Sequence, residues 1–147
     1  MGKVGEFCYT LFMPSLFPHL FDYSFLAIGI LRITLGLIFL WFAYIKIFRA
    51  RAEYLAFFEK TKIRPAKVFL NTAIAIEFLV GLSLVAGYYS QAAELVGGSL
   101  MTLSSLIKWH RPSLLPHNTA AFYLLLSVVS FALLFIGPGA FAFDLPL

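Results

Sequence analysis

The chain has 147 residues, 61% hydrophobic, 18% aromatic and only 12% charged, with a net charge of +4. A soluble domain carries about a quarter of its residues charged, so this composition excludes a soluble globular protein and predicts an integral membrane protein. The basic residues cluster around apolar segments, which excludes nucleic acid as their partner and points to membrane topology. The one cysteine, Cys8, excludes an internal disulfide and a dithiol redox centre.

In chain order, residues 1–23 are aromatic and interrupted by Pro14 and Pro18. They read as an arm at the membrane interface, not as a cleaved signal or a further span. The rest, 24–147, reads as one membrane domain. A first span is expected at about 24–48. The segment "RAEYLAFFEKTKIR" follows and predicts a short amphipathic helix on the membrane surface, with Tyr54, Leu55, Phe57 and Phe58 dipping into the interface. A second span, about 66–88, opens after Pro65, which suits a first helical turn. A third, about 92–107, is the shortest and least apolar. A fourth, about 118–136, is stopped by Gly137, Pro138 and Gly139. The expected fold is therefore all-α: a membrane four-helix bundle, an interfacial N-terminal arm, and an amphipathic segment between helices 1 and 2.

Nine of the eleven basic residues fall between spans one and two or between three and four. The positive-inside rule puts both basic loops, 46–67 and 108–117, in the cytoplasm of a bacterial or archaeal inner membrane, with both termini outside.

The first span, "LRITLGLIFLWFAYIKIF", carries Arg32 near its start and Lys46 near its end. Arg32, Gly36, Phe39, Ala43 and Lys46 recur at helical spacing and form one stripe. Its small members admit a neighbouring helix, so the stripe and Arg32 face protein. Glu77 lies in "AIAIEFLVG" of the second span. Counted from the outer end, Arg32 is about 12 Å deep and Glu77 about 16 Å. Intramembrane charges face the interior and pair, so an Arg32–Glu77 pair is expected. Glu94 and Asp144 lie near the same outer side. Arg32, Glu77, Glu94 and Asp144 thus form a candidate polar pocket, read either as a register-fixing ion pair or as a site for a small molecule or a proton.

At the inner edge lie Lys46, Lys108, His110, Arg111 and His117. Histidines seven apart, with no carboxylate or thiol beside them, do not make a metal site. They are not placed on facing spans for haem either. Trp41 and Trp109 are expected at the inner interface. Ser99, Thr102, Ser104 and Ser105 read as hydrogen bonders between helices, with Ala93 and Gly97 on a close-packing face. Serine catalysis lacks a G-x-S-x-G and a carboxylate–histidine partner, so the chain has no self-sufficient catalytic motif.

Three stretches together resemble the DoxX family. They are "LRITLGLIFLWFAYIKIF", "AIAIEFLVGLSLVAGYYSQAA" with Glu77, Gly81 and Gly87, and "FIGPGAFAFD" with Gly137, Pro138, Gly139 and Asp144. The chain departs from the family pattern at Ala43 or Tyr44, where the family often has a glycine, and at Ala140, where a basic residue is usual. The resemblance implies a four-helix membrane bundle and a redox association, since some members are membrane subunits of quinone-linked oxidoreductases. It carries Arg32, Glu77 and Asp144 into a polar pocket, with Lys46 at its cytoplasmic end. The expected function is a membrane subunit of a redox complex, with no cofactor held by this chain except a quinone. Its expected partners are the lipid bilayer and other membrane subunits, and no nucleic acid. The alternative is a non-catalytic accessory or assembly subunit packed against a larger energy-transducing complex. A small transporter or channel is a third reading, but the sequence has no inverted repeat or broken-helix pair to support it.

Overall fold

The computed structural model describes residues 23–57 in full, the backbone of 58–60, and residues 65–110, 118–137, 139, 142 and 143. Residues 1–22, which hold the expected interfacial arm, lie outside the described residues. Among the described residues the chain is all-α, with five helices: α1 (Ser24–Phe48), α2 (Arg51–Lys60), α3 (Ala66–Ala86), α4 (Ser90–His110) and α5 (Ala120–Ile136). Two of them, α1 and α3, are long and apolar enough to cross a membrane. Helix α5 is apolar but shorter, at 17 residues, the lower end of what spans a bilayer.

The helix ends follow local chemistry. Helix α3 stops at Ala86, two residues before the expected end, because Gly87 takes the left-handed conformation (φ 69°). The Gly87 and Tyr88 amides both donate back to the Ser83 carbonyl, at 2.8 and 3.1 Å, and close the last turn. Helix α4 begins immediately after the turn and runs longer than the expected 92–107. Helix α5 starts two residues later than expected, because Asn118 has φ 62° and Thr119 is extended.

Three contacts set the registers. Gly36 on α1 lies against Gly81 on α3, so closely that a Cβ on Gly36 would be 2.9 Å from the Gly81 carbonyl oxygen. A Cβ on Gly97 of α4 would meet Phe39 at 2.8 Å and Val80 at 3.1 Å. Gly98 of α4 lies against Ser130 and Phe131 of α5, and Thr102 and Ser127 share a 2.6 Å hydroxyl contact. Each pair of neighbouring long helices therefore runs antiparallel. Helix α1 also touches α5. The buried face of α1 is Gly29, Arg32, Leu35, Gly36, Phe39, Phe42 and Ala43, the stripe expected from the spacing.

The core has two parts. The larger one packs Leu35, Phe39, Phe42, Val80, Leu84, Met101, Tyr123, Leu126 and Leu133. The smaller one lies at the α1–α2 corner around Ala43, Ala50, Tyr54, Leu70 and Ile74. This corner corrects one expectation. Tyr54 and Phe57 do not dip outward into the interface; both are buried, because α2 folds back within two residues of α1 and turns these rings inward. The outer faces remain apolar, with Leu37, Trp41, Leu79, Leu82, Leu103, Leu125 and Val128 exposed. A surface of this kind suits lipid and not water.

The serines divide. Thr102 contacts Ser127 and Ser105 donates to the Ala120 carbonyl, so these two link α4 to α5. Ser99 and Ser104 instead donate to carbonyls one turn back on their own helix, which is the other way to satisfy a hydroxyl inside a helix.

Candidate functional site

Two buried polar groupings lie at different depths. The inner one is an ion pair between the Lys46 ammonium and Glu77 Oε1, with side chains 15% and 4% exposed. The Lys46 ammonium also sits 5.2 Å from the centre of the Tyr54 ring, a cation–π contact. The Tyr54 hydroxyl is in hydrogen-bonding reach of Tyr123, and Tyr123 in turn of the Asn118 side chain. Burial, reinforced by Tyr123, pushes the Tyr54 phenol well above its ordinary range, so it stays a neutral donor. Polar groups therefore follow one another from Glu77 and Lys46 through Tyr54 and Tyr123 to Asn118, with a ring-face contact at the Lys46–Tyr54 step and hydrogen bonds beyond it.

Lys46, and not Arg32, partners Glu77. The Gly36–Gly81 contact makes Glu77 level with residue 40 of α1. Lys46 is then about 9 Å away along the axis and Arg32 about 12 Å away on the other side. Direction matters as much as depth. Helical side chains lean towards their own N-terminus. In antiparallel α1 and α3, Lys46 and Glu77 lean towards each other, whereas Arg32 and Glu77 lean apart.

Arg32 leans instead to the other end, where it forms the outer grouping. It is wholly buried, and its Nε donates to the Leu84 carbonyl at 3.0 Å. Among the described residues, Glu94 is a charged neighbour of it, also wholly buried. Neither Glu94 oxygen, nor the buried Ser90 hydroxyl one turn before it, has a hydrogen-bond partner among the described residues. The chain beyond α5 folds over this end. A Cβ on Gly139 would press on the Gly29 amide at 2.8 Å, and one on Gly87 would lie 2.7 Å from the Ala142 Cα and 3.0 Å from Arg32 Nη2. Gly87→Ala therefore combines a strained left-handed residue with two collisions. It should lower stability by at least about 1–2 kcal/mol, read as thermal unfolding in detergent; an unchanged melting curve would contradict this packing.

Beside the inner grouping, α1 and α5 leave a groove of about 480 Å³ lined by Ile38, Trp41, Phe42, Ile45, Asn118 and Phe122. It has aromatic walls, and Asn118 brings one end of the polar line to it. Trp41 and Phe122 lie at the lipid-facing side, and Phe42 packs edge-on to Phe122 and at a tilt to Tyr123.

Of the residues expected to form one pocket, Arg32 and Glu94 come together and Glu77 sits apart with Lys46. Asp144, Arg111 and His117 lie outside the described residues. Lys108 and His110 close α4 at the Lys46 end of the molecule. No three His, Cys, Asp or Glu side chains among the described residues are placed to hold a metal. The sequence reading did not anticipate Tyr54, Tyr123, Asn118 or Ser90 as site residues. A phenol inside the apolar run "AAFYLLLS" was the available signal for Tyr123; the role of Tyr54 depends on the fold-back of α2.

The family model of DoxX matches residues 27–136, which takes in Arg32, Lys46, Tyr54, Glu77, Ser90, Glu94, Asn118 and Tyr123 but not Asp144. The chain belongs to the DoxX family. Arg32, Gly36, Glu77 and Gly87 of this chain lie in the two polar groupings and the α1–α3 contact just described. This DoxX protein is a membrane protein, as its apolar helices and exposed apolar faces require. Neither a curated protein nor a solved structure matches it.

Proposed function

We propose that this DoxX protein is the quinone-side membrane subunit of a redox complex, and that the α1–α5 groove receives the quinone headgroup from the lipid. In this reading α1, α3, α4 and α5 span the bilayer as a four-helix bundle. The basic ends carrying Lys46, Arg51, Lys67 and Lys108 face the cytoplasm, and both termini face outward. The single observation that carries the reading is the juxtaposition of an aromatic, lipid-facing groove with a buried polar line ending in an ion pair.

The residues present fit such a headgroup. Trp41, Phe42 and Phe122 offer flat apolar contact to a ring. The Asn118 amide offers a hydrogen bond to a ring oxygen. When bound, a quinone accepts two electrons and two protons. This chain supplies the proton side: Tyr123 and Tyr54 can relay a proton by hydroxyl exchange, and Glu77 can hold one against Lys46. The electrons come from a partner protein, in keeping with a chain that has one cysteine and no paired intramembrane histidines.

The test is purification from the native membrane in mild detergent, with mass spectrometry of co-migrating proteins and solvent extraction of the product. The reading expects a redox partner at fixed stoichiometry and near-stoichiometric extracted quinone. A large partner without redox groups, together with no retained quinone, would replace it with the accessory-subunit reading.

A further inference from the structure

A second groove, of about 420 Å³, lies on the other side of α1, against α2 and α3. It is lined by Ile47, Arg51, Asn71, Ile74, Ala75 and Phe78. Its chemistry is graded. At the basic end of the molecule, the Arg51 guanidinium donates through Nη2 to Asn71 Oδ1 at 3.2 Å. Asn71 is neutral, so this contact holds the guanidinium in place without cancelling its charge. Lys67 is one turn before Asn71 on the same face of α3, and both are exposed. Continuing along that face, Ala75 and Phe78 are exposed and apolar. The stripe from Lys67 to Phe78 thus passes over about 16 Å from cation through amide to hydrocarbon. The nearest acid on α2, Glu53, lies about 200° round that helix from Arg51.

We infer that this groove is a specific site for one anionic glycerophospholipid. Its phosphate lies between Arg51 and Lys67, and one acyl chain runs along Ala75 and Phe78. Charge complementarity decides the occupant. A zwitterionic lipid brings an ammonium that Arg51, held by Asn71, and the nearby Lys67 repel, and an apolar helix from another protein brings nothing for Arg51 and Lys67. An Arg held at fixed geometry offers paired donors to phosphate oxygens, which a mobile surface cation does not. The bound lipid would staple α2 to α3 at the corner that orients Tyr54, so the site has a structural consequence beyond solvation by the bilayer.

The experiment is native mass spectrometry of the full chain in mild detergent, titrated with phosphatidylglycerol and with phosphatidylcholine. The expected result is one tightly held phosphatidylglycerol per chain and no comparable phosphatidylcholine adduct. Arg51→Gln and Lys67→Gln should each weaken the phosphatidylglycerol adduct about fivefold, the effect of one cation near a membrane anion. Arg49→Gln, which removes an exposed cation that lies neither in the groove lining nor on the α3 stripe from Lys67 to Phe78, should leave it unchanged. Free glycerol phosphate should not displace the lipid. Equal weakening by Arg49→Gln would mean diffuse surface charge and would overturn the site. Displacement by glycerol phosphate would mean a phosphate site without a lipid tail and would overturn it equally. All three variants change exposed side chains, so unaltered helix content by circular dichroism separates a lost site from a lost fold.

Discussion

Lys46→Met should destabilise the protein by about 3–5 kcal/mol, the cost of stranding one partner of a buried ion pair. The effect is large because Glu77 has nowhere else to turn. Its Oε1 is held by Lys46, its Oε2 has no hydrogen-bond partner among the described residues, and its side chain is 4% exposed. Arg32, the other intramembrane cation of α1, leans the opposite way and cannot substitute. Adding Glu77→Leu to Lys46→Met should restore most of the loss, because an apolar pair of similar volume needs no compensation. Denaturant titration in detergent, followed by circular dichroism, reads both values. A single variant as stable as the parent would show that the pair contributes nothing. A double variant as weak as the single would show that Lys46 acts through packing and not through charge.

The second large effect concerns the α1–α3 contact. Gly36→Ala places a methyl 2.9 Å from the Gly81 carbonyl oxygen, 2.9 Å from Val85 Cγ2 and 3.0 Å from Leu84 Cβ. Backbone oxygen and a helix-borne Cβ cannot rotate away, so α1 must move off α3. Overpacking of this kind costs about 1–3 kcal/mol, and Gly36→Leu should prevent accumulation of folded protein. Gly98→Ala provides the internal comparison. There the new methyl would be 3.2 Å from the nearest atoms, which include the far end of the Phe131 ring, and a ring can shift by a few tenths of an ångström. The expected order of unfolding midpoints is therefore parent, Gly98→Ala, Gly36→Ala. The reverse order would mean that α1 and α3 are not in the close register described. Since that register also places Glu77 beside Lys46, loss of the glycine contact should propagate to the ion pair.

These two effects mark where sequence reasoning reached and where it stopped. Helical spacing alone put Arg32, Gly36, Phe39, Ala43 and Lys46 on one face of α1 and predicted that the face meets protein. The apolar runs located four of the helices. Their ends shifted by two or three residues where positive φ at Gly87 and Asn118, or the tight turn before Ser90, governed the boundary. Depth along the axis points to Arg32 as the partner of Glu77, whereas the lean of side chains in antiparallel helices selects Lys46. The mixture of aromatic and charged residues in α2 points Tyr54 to the interface, whereas the two-residue link after α1 folds α2 onto the core. The α1–α5 groove has no sequence signature at all. It arises from looser packing between two helices distant in the chain, and Asn118 reaches it only because the chain turns through a left-handed residue there.

The most direct test of the proposed function uses Trp41, which lines the groove. The chain has two tryptophans, so Trp109→Phe, a change at an exposed position, leaves Trp41 as the sole indole reporter. Its fluorescence is followed during titration with a short-chain quinone in detergent. The account predicts saturable quenching, weakened about three- to tenfold by Asn118→Gly, which removes the amide while keeping the left-handed backbone comfortable. Phe122→Ala should weaken it similarly by opening the aromatic wall. Quenching that rises without saturation and ignores both substitutions would contradict a quinone site between α1 and α5.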